Sequence, residues 1–138
     1  MSRTILMLEH DEDDRYITKA VFNENSYQVS LNFVTSSDEA FLYLQQCKES
    51  NKYPSLILLN YNAGPSNAVE ILSKLKASAH YNHIPVIVLS GVVNDKIVQE
   101  CYEAGASSFI QKPDTSLDTD KKISSFFHYW FETVELPN

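Results

Sequence analysis

Five short apolar runs, Thr4–Leu8, Val29–Val34, Ser55–Leu59, Pro85–Ser90 and Ser107–Ile110, alternate with five longer amphipathic segments. Leu56-Ile-Leu-Leu59 and Val86-Ile-Val-Leu89 are apolar at every position, so they suit strands covered on both faces, as in a parallel sheet flanked by helices. The segments between them carry helical period. Ala68, Ile71, Leu72 and Leu75 follow the i, i+3, i+4, i+7 spacing of one helix face. Ser36 and Glu39 form a capping-box pattern that opens the second helix. The fourth helix begins near Asp95, carries Ile97, Val98 and Cys101, and stops at Ala104-Gly105, where glycine can take a left-handed turn. The fifth runs roughly over 118–134, with Ile123, Phe126, Phe127, Trp130 and Val134 on one stripe and Tyr129 and Phe131 flanking it as expected exposed aromatics. No internal repeat or second-domain boundary interrupts the series. The pattern predicts one α/β domain over 1–138, a doubly wound parallel sheet.

In such sheets the functional crevice lies outside the carboxyl ends of the strands. Those ends carry Glu9, His10 and Asp11 after strand 1, Asn60 closing strand 3, Ser90 closing strand 4, and Lys112-Pro113 after strand 5. Acids, an amide, a hydroxyl and an ammonium group thus converge on one edge.

The bulk numbers narrow the function. With 18 acidic against 11 basic residues the net charge is -7, which opposes binding to a nucleic-acid backbone. The nearest basic cluster, Lys121-Lys122, reads as a solvated helix surface. No apolar run approaches the roughly 18 residues of a membrane span. Cys47 and Cys101 form no CxxC and read as reduced, partly buried thiols of a cytoplasmic protein. A flavodoxin-like cofactor binder would need a phosphate-cradling loop after strand 1, where this chain places acids.

Four blocks in order resemble the response-regulator receiver domain. They are Ile5-Leu-Met-Leu-Glu-His-Asp-Glu-Asp-Asp-Arg15, Leu56-Ile-Leu-Leu-Asn60 with Val69-Glu-Ile-Leu72, Ile84-Pro-Val-Ile-Val-Leu-Ser-Gly91, and Ala104-Gly-Ala-Ser-Ser-Phe-Ile-Gln-Lys-Pro113. The ending Phe127-His-Tyr-Trp-Phe-Glu-Thr-Val-Glu-Leu-Pro137 is similar to that of stand-alone, phytochrome-associated receivers. The resemblance implies a flavodoxin-like, CheY-like fold of five strands in the order 2-1-3-4-5 with five helices, and a non-enzymatic role in two-component signalling. It also implies how the site works in the family. An aspartate ending strand 3 accepts a phosphoryl group from a histidine kinase, Mg2+ bound by acids neutralises the charge, and a hydroxyl and a lysine bind the phosphoryl oxygens.

Carried onto this chain, Glu9 matches the first acid, Ser90 the hydroxyl, Phe109 the switch aromatic and Lys112, followed by Pro113, the lysine. Asn60 stands at the phosphoacceptor, and His10 where the family most often has its main metal-binding acid. The loop after Asn60 departs as well, with Ala63-Gly64 for the usual Met-Pro and Ala68 for glycine. An amide nitrogen has its lone pair delocalised and the amide oxygen is neutral, so neither is a competent nucleophile towards phosphorus. Mg2+ seeks carboxylates, and imidazole suits it poorly. The expectation is a pseudo-receiver without ordinary phosphorelay, with weak or absent Mg2+ binding and no other cofactor. A Lys112–Glu9 ion pair is expected in the vacated pocket, and Glu12, Asp13 and Asp14 as a solvated first helical turn.

The expected mode of action is protein interaction through helix 4, strand 5 and helix 5, with a histidine kinase or a downstream target as partner. A homodimer is possible, and no output domain is expected after helix 5. Two alternatives stay open. One is an active receiver with another acceptor, among Ser66, Ser90 and Asp11. The other is a small-molecule or pH sensor built on His10, Glu9 and Lys112.

Overall fold

The aliphatic runs build a single central layer. In the computed structural model, which describes residues 3–24, 28–63, 66–112 and 116–137, the strands are β1 (Arg3–Leu8), β2 (Val29–Val34), β3 (Leu56–Asn60), β4 (Val86–Ser90) and β5 (Ser108–Gln111). They pair in parallel in the order β2-β1-β3-β4-β5. The crossovers are α1 (Glu12–Glu24), α2 (Ser37–Ser50), α3 (Ala68–Ala77) and α4 (Asp95–Glu103), and α5 (Ser116–Phe127) follows the last strand. This is the doubly wound parallel sheet that the sequence pattern predicts, in the strand order that the resemblance implies, with strand ends shifted by a residue. Ser55 and Ser107 lie just outside their strands yet still donate to Thr4 and Val86 carbonyls. No helix among the described residues is long and apolar enough to cross a membrane.

Alternation along the strands divides the core in two. Leu6, Leu8, Ile57, Leu59, Val86 and Val88 pack with Ala40 and Leu44 of α2, Ile71, Leu72 and Leu75 of α3, and Cys101 of α4. Ile5, Met7, Leu56, Leu58 and Ile87 face the other way, onto Phe22 of α1 and Phe127 of α5. Full burial of such side chains contributes about 1.5–3 kcal/mol each, and the two layers together hold the sheet between its helices. Cys47 and Cys101 are free and buried, and burial pushes both thiols above the ordinary cysteine pKa.

The helix ends follow their sequence signals. Ser36 Oγ accepts from Glu39 N at 3.1 Å, and Glu39 reaches back one residue further than a simple capping box, accepting from Thr35 N at 2.7 Å. Asn67 and Asn94 cap α3 and α4 in the same way. The fifth helix differs from expectation. Its α-helical part ends at Phe127 and continues as a π-helical turn, His128–Thr133. Phe131, four residues after Phe127, stacks on it with centroids 5.1 Å apart, while Trp130 is buried beside Phe126. Phe131 therefore belongs to the core layer, and of the two flanking aromatics only Tyr129 is exposed.

Gly105 ends α4 with φ +111, and a Cβ there would fall 2.7 Å from Lys76 Cγ. Lys76 has little room to withdraw, because its ammonium donates to the Asn82 and Ile84 carbonyls. Gly105→Ala is expected to cost about 1–3 kcal/mol through the strained φ and the clash. It should appear as a lower urea midpoint at unchanged m-value.

Candidate functional site

Backbone hydrogen bonds carry the sheet past its last strand residues and place the site. Glu9 N donates to Val34 O at 3.0 Å, Tyr61 N to Leu89 O at 2.7 Å, and Lys112 N to Ser90 O at 2.8 Å. Side chains alternate along each strand. Met7, Leu58 and Ile110 face α1 and α5, so Glu9, Asn60 and Lys112, two residues further on, are aimed to the same side. Val88 and Phe109 face α2–α4, and Ser90 shares their parity.

The three residues aimed together meet. Glu9 is fully buried, Asn60 is buried, and Lys112 is 21% exposed. Asn60 Nδ2 donates to Glu9 Oε2 at 2.6 Å, and Lys112 Nζ donates to Glu9 Oε1 at 2.6 Å. An ionised carboxylate only accepts, so the nitrogen of Asn60 is the atom that must face it. The Asp11 backbone N–H adds a longer contact to Glu9 Oε2 at 3.3 Å. Arg15 reaches back along α1 and donates to the Glu9 carbonyl at 2.8 Å.

The structure corrects the reading of Asp14. It is no merely solvated first-turn acid: its Oδ2 accepts from Lys112 Nζ at 2.8 Å, tying α1 to the end of β5. Asp11 caps the helix by accepting from Asp14 N at 3.0 Å. An acid three residues after an N-cap lies in the first turn, within reach of the sheet edge. Asp11 is itself exposed, and the backbone N–H of Asp14 holds its carboxyl below the usual aspartate pKa. The His10 side chain is half exposed, with Nδ1 4.0 Å from Glu9 Oε2. Of Glu9, His10 and Asp11, only Glu9 stands inside the pocket.

Ser90 is buried but turned to its own loop. Its hydroxyl donates to Val92 O at 2.6 Å and accepts from Val92 N at 3.2 Å. Phe109 packs partly buried on the α2–α4 side, and its backbone N–H, at the open edge of β5, donates to the Tyr102 hydroxyl at 3.2 Å. After Asn60 the chain forms a short antiparallel ladder, Asn62–Ala63 against Ser66–Asn67. Ala68 is fully buried as the first residue of α3, so the position matched to glycine is packed against the core. Pro113 and Gly64 lie outside the described residues. Among the described residues, no group of three or more His, Cys, Asp or Glu side chains is arranged to hold a metal ion.

Burial works against the Lys112 ammonium, but its hydrogen bonds to Asp14 and Glu9 and their charges outweigh it, holding its pKa above the ordinary 10.5.

A five-stranded parallel sheet in the order β2-β1-β3-β4-β5, with helices on both faces, is the architecture of a receiver. Residues 5–123 match the family model of the response regulator receiver domain, and the chain belongs to that family, a class of two-component signalling proteins. It is 28% identical over 137 residues to response regulator Rcp1 of Synechocystis sp., a match that covers 98% of this chain and 93% of that protein. The crystal structure of response regulator RPA3017 in red light signaling of R. palustris matches with TM-score 0.90 at 26% identity over 99% of both chains. The Mn2+-bound form of Rcp1 matches with TM-score 0.86 at 28% identity, also over 99% of both. The phosphorylated cyanobacterial phytochrome response regulator RcpA shares the fold, with TM-score 0.90 at 23% identity.

Lys112→Met leaves the Glu9 carboxylate buried without its cation and is expected to cost about 3 kcal/mol, seen by urea denaturation at neutral pH. The sign of the pH dependence follows from the raised folded-state pKa. The lysine's contribution is complete below its unfolded value and fades as pH rises through the folded one. Stability curves of wild type and Lys112→Met should therefore stay apart up to the ordinary value of 10.5 and converge above it.

Proposed function

We propose that the chain is a pseudo-receiver: a two-component signalling module that takes no phosphoryl group at the usual position and acts through protein contact. The observation that carries this reading is the Glu9 carboxylate, shared between the Asn60 amide and the Lys112 ammonium. In a phosphorylatable receiver two acids share a divalent cation. Here an N–H donor replaces one acid, so the remaining carboxylate is neutralised from within the chain. Mg2+ fits this donor set badly. Both Glu9 oxygens already face nitrogen donors, Asn60 turns its nitrogen inward, and His10 offers a half-exposed imidazole. The relative Rcp1 has a Mn2+-bound form.

Two of the three alternative acceptors are poorly set. Ser90 is buried and committed to Val92, and Asp11 is the exposed cap of α1. A pH sensor at His10 gains little support from an exposed ring 4.0 Å from its nearest acid.

The partner-facing surface in this reading is α4, β5 and α5. Tyr102 and Tyr129 are about half exposed there, and an open groove of about 590 Å³ runs between β5 and α5, lined by Ser108, Ile110, Lys122 and Tyr129. With Ser90 held by its own loop, Phe109 has no phosphoryl-driven reason to move, so the face is presented in one conformation. A histidine kinase or a downstream target in a cytoplasmic, red-light pathway suits the relatives named above, and a second copy of the chain would use the same face.

Wild-type protein treated with acetyl phosphate, or with beryllofluoride and Mg2+, is expected to show no Mg2+-dependent change in mass or NMR spectrum; a stoichiometric change would overturn the proposal. Asn60→Asp alone should bring two carboxylates together at the present 2.6 Å contact and destabilise the fold at neutral pH. It should remain a poor acceptor. The double variant Asn60→Asp with His10→Asp is expected to regain Mg2+-dependent stabilisation and measurable phosphorylation, read by thermal shift and Phos-tag electrophoresis.

A further inference from the structure

Beneath the Glu9–Lys112 pair the sheet is incompletely covered. β4 is a central strand, and its residues Val86, Ile87, Val88 and Ser90 are buried, yet Leu89 is partly exposed. Leu89 faces α1 and α5, as does Ile110 of β5, which is also partly exposed. Both form the floor of a cavity of about 140 Å³ together with Met7 and Leu58. Ile17 and Phe22 of α1 and Ile123 and Phe126 of α5 wall it, and Glu9, Asp14 and Lys112 stand at one end. Ile17 is 43% exposed, an apolar wall left open at the rim.

We propose that this cavity is a binding site for a compact, uncharged monocyclic molecule carrying one hydrogen-bond acceptor oxygen. Size sets the first limit, since a dry apolar cavity of about 150 Å³ suffices for a benzene ring. Charge sets the second. Glu9 and Asp14 are matched by Lys112 and by Lys122, whose ammonium donates to the Gln111 carbonyl, so the end of the cavity carries no surplus charge for an ion. Donor count sets the third. An ammonium has three N–H groups, and Lys112 directs hydrogen bonds to Glu9 and Asp14, which leaves the third for an acceptor on the ligand. The site adjoins the strand-end cluster and shares Lys112 and Glu9 with it. An occupant would therefore bear on the same lysine that neutralises the buried carboxylate. The proposal shares the Glu9–Lys112 pair with the pseudo-receiver reading, but binding in the cavity and phosphoryl uptake are read by separate measurements.

Phenol is the probe. Titrated into 13C-methyl-labelled full-length protein, it is expected to give saturable shifts at the Ile17, Leu89, Ile110 and Ile123 methyls, with a dissociation constant of about 1 mM or tighter. Intermolecular NOEs from the ring to Leu89 and Ile110 should locate it without any variant. Benzene should bind the same methyls about tenfold more weakly, since it offers no acceptor. Ile17→Trp, at an exposed rim position that tolerates a larger side chain, should block the site and leave the folded spectrum intact. Non-saturable shifts up to about 10 mM phenol, far above the affinity the proposal requires, or NOEs confined to other methyls, would overturn it and leave the cavity as a packing void or the seat of a partner's side chain. Equal affinity for benzene and phenol would overturn the role of Lys112. Acetyl phosphate uptake, which would defeat the pseudo-receiver reading, has no bearing on any of these readouts.

Discussion

A carboxylate removed from water must find compensation inside the protein, and Glu9 is fully buried at the end of β1. Burial of an unpaired ion costs several kcal/mol, so whatever surrounds Glu9 decides what the site can do. Here the surroundings are an amide N–H and an ammonium, each 2.6 Å from a different oxygen. The arrangement satisfies the carboxylate without an external cation and draws together three strands, β1 through Glu9, β3 through Asn60 and β5 through Lys112. Asp14 extends the same pairing to α1. The ends of the three strands are thereby bridged by side chains of the chain itself.

The side-chain period of two organises everything else at the edge. Glu9, Asn60 and Lys112 share the parity of Met7, Leu58 and Ile110, and look towards α1 and α5. Phe109 shares the parity of Val88 and looks towards α2–α4, as does Ser90. One edge thus carries two groups of residues with different neighbours. The first is a closed electrostatic cluster above a small apolar cavity. The second consists of a serine absorbed by its own turn and an aromatic at an open strand edge, capped by the Tyr102 hydroxyl. Tyr102 leaves the β5 edge less available for unplanned strand pairing while its ring remains exposed.

Much was legible in the residues. The aliphatic runs at β3 and β4 have no polar position before their last residue, so they demand cover on both faces, and the helical period between them supplies it. Ser36 and Glu39 announce the start of α2, and Gly105 announces the end of α4 because only glycine takes φ +111 at low cost. Asn60, Glu9, Ser90 and Lys112 were legible as strand-end residues, and Phe109 as a match to a family pattern. Asp14 was misjudged because charge density in a first helical turn has a ready local explanation, and only the approach of Lys112 from 98 residues away gives it another. Phe131 was misjudged because it was set beside the stripe, although it follows Phe127 by four residues and so lies on the same helix face, where the two rings stack.

By itself the sequence determined the alternation of strands and helices, the edge on which chemistry gathers, and the amide, in place of a carboxylate, at Asn60, since these depend on local pattern and on the identity of single side chains. The tertiary structure decided which of the strand-end residues touch. Parallel pairing over long crossovers set Glu9 against Asn60 and Lys112 and kept His10 and Asp11 outside, and packing left a cavity beneath them. Contacts of this kind depend on register and on how completely two helices cover a sheet, and neither quantity is written in any one segment of the chain.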